Sequence, residues 1–280
     1  MSRVLTECPV NETLRSESLN AGADRTVFAS EKYADALALA RKSMMPLRKE
    51  VSIREAGVPR TIGVTRLGVA PIKTPHGPFY HFYFQVEVRW QEYHALVKGE
   101  VDDGFNPKFQ SIDTLLVRID SGCQTGQVYG DRTCECRDQL ALAMKDLQIG
   151  QGMVIHIPSQ DGRGMGLPFK LATLFLQKRL RLNTVQAARA AAKNMNIDVR
   201  TYGGAVAIVK FFGITEQTVV RLMTNNPKKT TAFAENGYLT ADLIPVVIPP
   251  TEDTLPHLVA KQCDLGHPNL VGALAEGGVR

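Results

Sequence analysis

After Pro59 the chain enters a long stretch in which apolar and polar residues alternate: TIGVTRLGVA, then FYHFYFQVEVRW, then HALVKGEV, with proline and glycine between them. A period of two is the signature of strands with one buried face, and runs this close together predict an antiparallel β region over about 60–120. From about residue 115 the period changes. LLVRI, GMVIHI, VVRLM and IPVVI read as strands, and between them fall helical patterns at 138–148, 167–181, 185–194, 204–212 and 227–236. The switch restricts the chain to an α/β or α+β architecture, and α+β is the class expected here. Upstream, SEKYADALALARKSM (30–44) has a serine cap and helix-spaced apolar residues, which predicts one N-terminal helix. The expected organisation is an extension over 1–60, a main domain over 61–270 and a flexible tail over 271–280, with the proline-rich stretch from Pro249 only partly ordered.

Bulk properties exclude several classes. Apolar residues make up 44% and charged residues 22%. No run approaches the roughly 18 apolar residues of a membrane span, and the first twenty residues lack the apolar core of a signal peptide. A cytoplasmic protein without a membrane partner is expected. The net charge of +5 is spread among interleaved acids, not gathered into the basic stripe of a nucleic-acid binder. Small phosphorylated molecules are the expected partners.

Three of the five cysteines, Cys123, Cys134 and Cys136, fall within fourteen residues in a C-x10-C-x-C spacing. Clustered thiols differ from the spaced pairs of a disulfide framework. With no fourth protein ligand nearby, they suit a catalytic zinc, which keeps one position for water and lowers the pKa of that water to about 7. The competing reading, buried free thiols acting as small hydrophobes, fits poorly beside Asp120, Ser121, Gln124, Asp131 and Glu135.

Three other segments carry polar chemistry with alternatives open. Ser159–Pro168, containing Asp161-Gly162-Arg163, could bring backbone N–H groups and a helix start against an anion, or be a plain tight turn. Thr224-Asn225-Asn226-Pro227-Lys228-Lys229 enters a helix with Asn226 as cap and Pro227 at its first position. Thr224 and Lys229 could then face a phosphate, or the lysines could simply be solvated. Asp198 and Arg200 alternate on one face of an extended stretch, as a surface ion pair or as an acid/base and phosphate pair.

Taken in order, RIDSGCQTGQVYGDRTCECRDQL, QDGRGMGL, DVRTYGG and RLMTNNPKK resemble GTP cyclohydrolase II from about residue 65 to Leu270. The resemblance implies one zinc ion per chain on Cys123, Cys134 and Cys136. It places Arg118, Ser121, Gln139, Asp161, Gly162, Arg163, Thr184, Thr224 and Lys229 on nucleotide-binding positions. It makes Asp198 the proposed general base and Arg200 a proposed nucleophile on the α-phosphate, in a reaction that converts GTP to a ribosylamino-pyrimidinone phosphate with loss of formate and pyrophosphate. A homodimer is also implied.

The chain departs from the family at the base end. The family's Arg-Val-His-Ser-Glu-Cys is here Arg118-Ile119-Asp120-Ser121-Gly122-Cys123, its Glu-Gly-Arg begins with Asp161, and its tyrosine near the metal water falls at Leu174. Sites built on hydrogen bonds discriminate strongly by those bonds, so these changes favour another base. The expectation is a zinc-dependent hydrolase that opens the ring of UMP, as in the branch of the family linked to uracil catabolism, which also has a long N-terminal extension. GTP opening in riboflavin synthesis is the alternative, and a zinc-containing nucleotide sensor without turnover is the reading from another class.

Overall fold

The computed structural model describes residues 31–87, 91–109, 113–193, 196–240, 243–267 and 270–271. Residues 31–45 belong to a first compact unit that contains helix α1, Glu31–Ser43. Glu31 in its first turn and Arg41 and Lys42 in its last complement the helix dipole. The start of the N-terminal extension and the tail after 271 lie outside the described residues.

The second unit begins at Pro46. A seven-stranded sheet runs in the order β1-β2-β3-β4-β8-β7-β9. Its strands are β1 Leu47–Glu55, β2 Val58–Thr74, β3 Gly77–Val86, β4 Gln91–Lys98, β7 Thr114–Ser121, β8 Gly152–Ile157 and β9 Val219–Leu222. A two-stranded ribbon pairs β5 Glu100–Val101 with β6 Pro107–Lys108. The expected alternation holds: β1 to β4 and β8 are antiparallel. β7 pairs in parallel with both β8 and β9, so the antiparallel region stops short of residue 120.

Strand β1 lies in the stretch counted with the extension. Arg48, Lys49, Glu50 and Arg54 dominate its sequence, and only Val51 and Ile53 reach the core, so its apolar alternation is too short to stand out. Expected strand 244–248 reduces to a single bridge between Ile244 and Met223. Pro245 lacks the N–H that a ladder needs, and Pro249 and Pro250 follow at once. The stretch read as a partly ordered tail instead contains a helix, Leu255–Leu265.

Among the described residues six helices flank the sheet: α2 Cys136–Asp146, α3 Leu167–Leu180, α4 Thr184–Ala192, α5 Gly203–Phe211, α6 Pro227–Ala234 and α7 Leu255–Leu265. Helix α5, GGAVAIVKF, is buried at every position but Lys210 and packs with Phe82, Phe84, Val97 and Ile155 in the main core. Gly204 permits the contact with the sheet, since a Cβ there would stand 2.3 Å from the Tyr93 hydroxyl. On the other face Ala143, Met144 and Leu147 pack with Phe79, Val154 and Met223. Strand β8 thus feeds both cores, which explains its unbroken apolar run. No helix among the described residues is long and apolar enough to cross a membrane.

Candidate active site

Strands β8, β7 and β9 are adjacent and parallel, so their carboxyl ends open on the same edge of the sheet. Ligands in α/β folds bind at that edge, and the polar segments singled out in the sequence leave from it. Ser121 ends β7 and leads into Cys123, Pro158–Gly164 follows β8, and Thr224 follows β9. Together they line one cavity, with Arg118 from β7, Gln139 from α2, Thr184 from α4, and Arg200 and Lys229.

The three cysteines meet in that cavity. Their Sγ atoms all lie within 4.8 Å of one another, and those of Cys123 and Cys134 are 3.7 Å apart. Cys123 follows β7, Cys134 ends a loop and Cys136 opens α2, so a helical turn at Gln124–Val128 returns the chain over the first sulfur. Gly126 makes this possible, since a Cβ there would stand 2.7 Å from Cys134 Sγ and 3.1 Å from Cys123 Sγ. Shared S–H donors and the Lys170 ammonium hold the Cys123 thiol far below its usual range, while the Cys134 thiol is pushed up to about 11 and that of Cys136 is also raised well above its usual range. Three thiolates this close repel strongly, and a divalent cation would offset the repulsion while releasing the remaining protons. The cluster can hold a metal ion.

The Asp161-Gly162-Arg163 turn is set by backbone conformation. Gly162, Arg163, Gly164 and Gly166 all have φ between 60° and 87°, and a left-handed arginine costs about 1 kcal/mol or more. Asp161 offsets that cost by accepting from the N–H of Gly162 at 2.8 Å and of Gln124 at 2.9 Å. The N–H groups of Gly162, Met165 and Gly166 are used inside the turn. Its anion-binding capacity therefore rests on the Arg163 side chain, which donates to Thr184 Oγ1 at 3.2 Å and leaves a buried Nη1 without a partner.

Asn226 caps α6 as the sequence indicates, accepting from Lys228 N at 3.0 Å with Pro227 first in the helix. Lys229 is buried and donates to Ile119 O at 2.7 Å. Burial, then Arg118 and Arg200, pull its pKa well down, so an anion in the cavity would restore its charge. Thr224 is buried beside it, accepting from Asn226 N. Arg118 donates to Met223 O at 3.0 Å and leaves its Nε without a partner.

One expected residue is set apart. Asp198 does not line this cavity but an adjoining cleft with Arg189, Lys228 and Asp264. It accepts two hydrogen bonds from Arg200, both 2.8 Å. Burial disfavours its charge, but Arg200 and Lys228 outweigh that and hold the carboxyl at about 2.

The cavity also contains groups to which the sequence assigned no role. Lys170, on the first turn of α3, lies 2.8 Å from Cys123 Sγ and 3.1 Å from Asp161 Oδ1. Asp120 is buried, accepting from Gln127 at 2.8 Å and lying 2.7 Å from His156 Nδ1. Lys261, His257 and His267 come from the C-terminal segment. Lys170 was in principle legible, four residues into a helix whose start faces the cysteines; the C-terminal groups had no local pattern to mark them.

The GTP cyclohydrolase II family model matches residues 65–243. A GTP cyclohydrolase-2 of Streptomyces coelicolor is 35% identical over 215 residues, covering 76% of this chain and 90% of that protein. A riboflavin biosynthesis protein RibBA of Nocardia farcinica is 35% identical over 215 residues, 75% of this chain and 47% of its own length. A probable bifunctional riboflavin biosynthesis protein of Oryza sativa, RIBA 1, is 32% identical over 224 residues, 78% of this chain and 39% of its own length. The match runs through the cysteine cluster and the ends of all three parallel strands, and the chain belongs to the GTP cyclohydrolase II family, hydrolases that act on the base ring of a nucleotide.

Proposed function

We propose that this chain is a zinc-dependent cyclohydrolase that opens the base ring of GTP, with release of formate and pyrophosphate as the family resemblance implies. The observation that carries the reading is the convergence of three cysteine sulfurs with Arg118, Arg163, Arg200 and Lys229 in one cavity. The substrate follows the names of the relatives, which speak of GTP and riboflavin biosynthesis and none of UMP. This reverses the order of the two substrates expected from the sequence alone.

Cys123, Cys134 and Cys136 would hold the zinc, which when bound would supply an electrophilic centre able to activate water toward an electron-poor ring carbon. The chain's own residues do the rest. Arg118, Arg163 and Lys229 present cationic donors to the phosphates, with Gln139, Thr184, Ser121 and Thr224 around them. Asp161 and Gly162 hold the turn that aims Arg163. Asp198, spent in its bonds to Arg200, orients that guanidinium toward the cavity. A carboxyl held at about 2 is a weak base at neutral pH, which supports an orienting role beside the general-base role drawn from the resemblance.

A second reading, UMP as substrate, rests on a specific feature of the cavity. Leu174 lines it where the family places a tyrosine, and a leucine can neither donate nor accept a proton. Asp120 and Gly122 differ at the same end. Arg200 would then clamp a single phosphate and no pyrophosphate would leave.

Separate incubations with GTP and with UMP decide between them. Formate and pyrophosphate formed in step from GTP support the first reading. Loss of uracil absorbance from UMP, without either product from GTP, replaces it with the second. Nucleotide binding by the zinc-loaded protein with no product over hours would overturn both in favour of a sensor.

A further inference from the structure

Helix α7 and the cysteine loop are joined through Glu135, the residue between Cys134 and Cys136. Glu135 is 1% exposed, and its Oε1 accepts from Lys261 Nζ at 2.5 Å. His257, one helical turn earlier, places Nε2 3.9 Å from Oε2, too far for a hydrogen bond. His257, Lys261 and Leu265 recur every four residues, so they form one stripe, and all three line the cavity. Leu258 and Ala260, on either side of this stripe, are buried. A second ion pair, Arg132 with Asp253 at 2.9 Å, ties the same loop to the residues just before α7. The family match ends at residue 243, so α7 lies beyond it.

The arrangement has a consequence for the sulfurs. The Glu135 backbone is shared by the segments that carry Cys134 and Cys136, so whatever fixes Glu135 fixes the spacing of those two ligands. A buried carboxylate stays put only while its counter-charge is present, because removing one partner leaves an uncompensated charge. Groups that hold ligands in place commonly change metal affinity by 10–100-fold.

We propose that Lys261 is a positioning residue of the metal centre: through Glu135 it sets the Cys134–Cys136 arm, making α7 a working wall of the site. The proposal rests on the reading of the three cysteines as metal ligands, and the experiment separates the two. The full-length chain and its variants are titrated with zinc against a chromophoric chelator, and the sulfur-to-metal charge-transfer band is recorded with cobalt(II) in its place. The unaltered chain is expected to take up one ion. Lys261→Met and Glu135→Gln should each weaken binding by about 10–100-fold and shift the cobalt band. Lys261→Arg should recover most of the affinity, and the double variant should be no worse than the weaker single one.

Leu258→Ala loosens the same helix without touching the ion pair. It should lower thermal stability and leave the cobalt band in place. Should Lys261→Met not fold, Glu135→Gln and Lys261→Arg carry the comparison. Wild-type affinity and an unshifted band in Glu135→Gln or Lys261→Met would overturn the proposal, as would a band moved equally by Leu258→Ala. A chain that binds no ion at all would overturn the metal reading itself.

Discussion

The ammonium of Lys170 bridges Cys123 Sγ at 2.8 Å and Asp161 Oδ1 at 3.1 Å, so one side chain ties the cysteine cluster to the Asp-Gly-Arg turn. Lys170→Met removes the counter-charge from a buried carboxylate and from the sulfur most inclined to ionise. We expect a loss of about 1–3 kcal/mol in urea unfolding of the metal-free protein, the range for a buried polar group left unpaired. Zinc uptake followed against pH should also move to higher pH, because the Cys123 thiol would ionise less readily. Unchanged unfolding and an unchanged uptake curve would show that the bridge contributes nothing.

Gly122 precedes the first cysteine, where the resembling family has glutamate. A Cβ at this position would meet Pro158 Cα at 2.8 Å and Ile157 O at 3.0 Å, both backbone atoms at the end of β8. Neither can swing aside as a side chain could, so Gly122→Ala should destabilise the fold by about 1–3 kcal/mol. A thermal midpoint within a degree of the unaltered protein would refute this. The same crowding explains why the family's glutamate cannot be restored here without shifting β8.

Elements with a strong period were legible from sequence: β2, β3, β8, α3 and α5 fall where alternation or helical spacing puts them. The Asn226-Pro227 cap was legible in the same way, because it acts locally. What escaped depends on partners distant in sequence. Strand β1 is defined by its pairing to β2 and by two buried residues. Helix α7 packs on α4 and pairs Lys261 with Glu135, partners far from it in sequence. For the site, residue types and spacing brought the three cysteines together. Local alternation already offers the Asp198–Arg200 pair as one of two readings, and the structure forms it; that Asp198 lines the adjoining cleft and not the cavity has no local signal.

Replacing any one of Cys123, Cys134 or Cys136 by serine should abolish stoichiometric zinc binding and turnover together, since three ligands leave no redundancy. Loading zinc into the unaltered protein at neutral pH should release protons, because the Cys134 and Cys136 thiols are held protonated without a cation. Calorimetry in buffers of different ionisation enthalpy measures this directly. A single variant that retained one tightly bound zinc would remove that cysteine from the ligand set.

Leu174→Tyr tests the base end. The side chain lines the cavity, and tyrosine restores a hydroxyl that can donate or accept. With GTP as substrate, kcat should rise while folding is unaffected. With UMP as substrate, kcat/KM for UMP should fall by about 10-fold or more through crowding and an unmatched hydroxyl. Parallel assays of both nucleotides read the difference, and a variant unchanged on either would place residue 174 away from the base.

The Asp198–Arg200 pair gives a pH dependence with a defined sign. The carboxyl lies at about 2 in the folded chain against an ordinary 3.8, so above 3.8 both states are ionised and the pair's stabilisation is fully present. As pH falls through 3.8 toward 2, the unfolded chain takes up its proton first and that stabilisation drains away. The shift corresponds to about 2 kcal/mol. Asp198→Asn keeps the shape, loses the charge and should flatten the acid limb of stability between about pH 4 and 2, with lower stability at pH 7. Turnover separates the roles: if Asp198 only orients Arg200, the Asn variant should raise KM and leave the neutral-to-acid profile of kcat unmoved. Loss of a titrating limb in kcat would return the general-base role to Asp198.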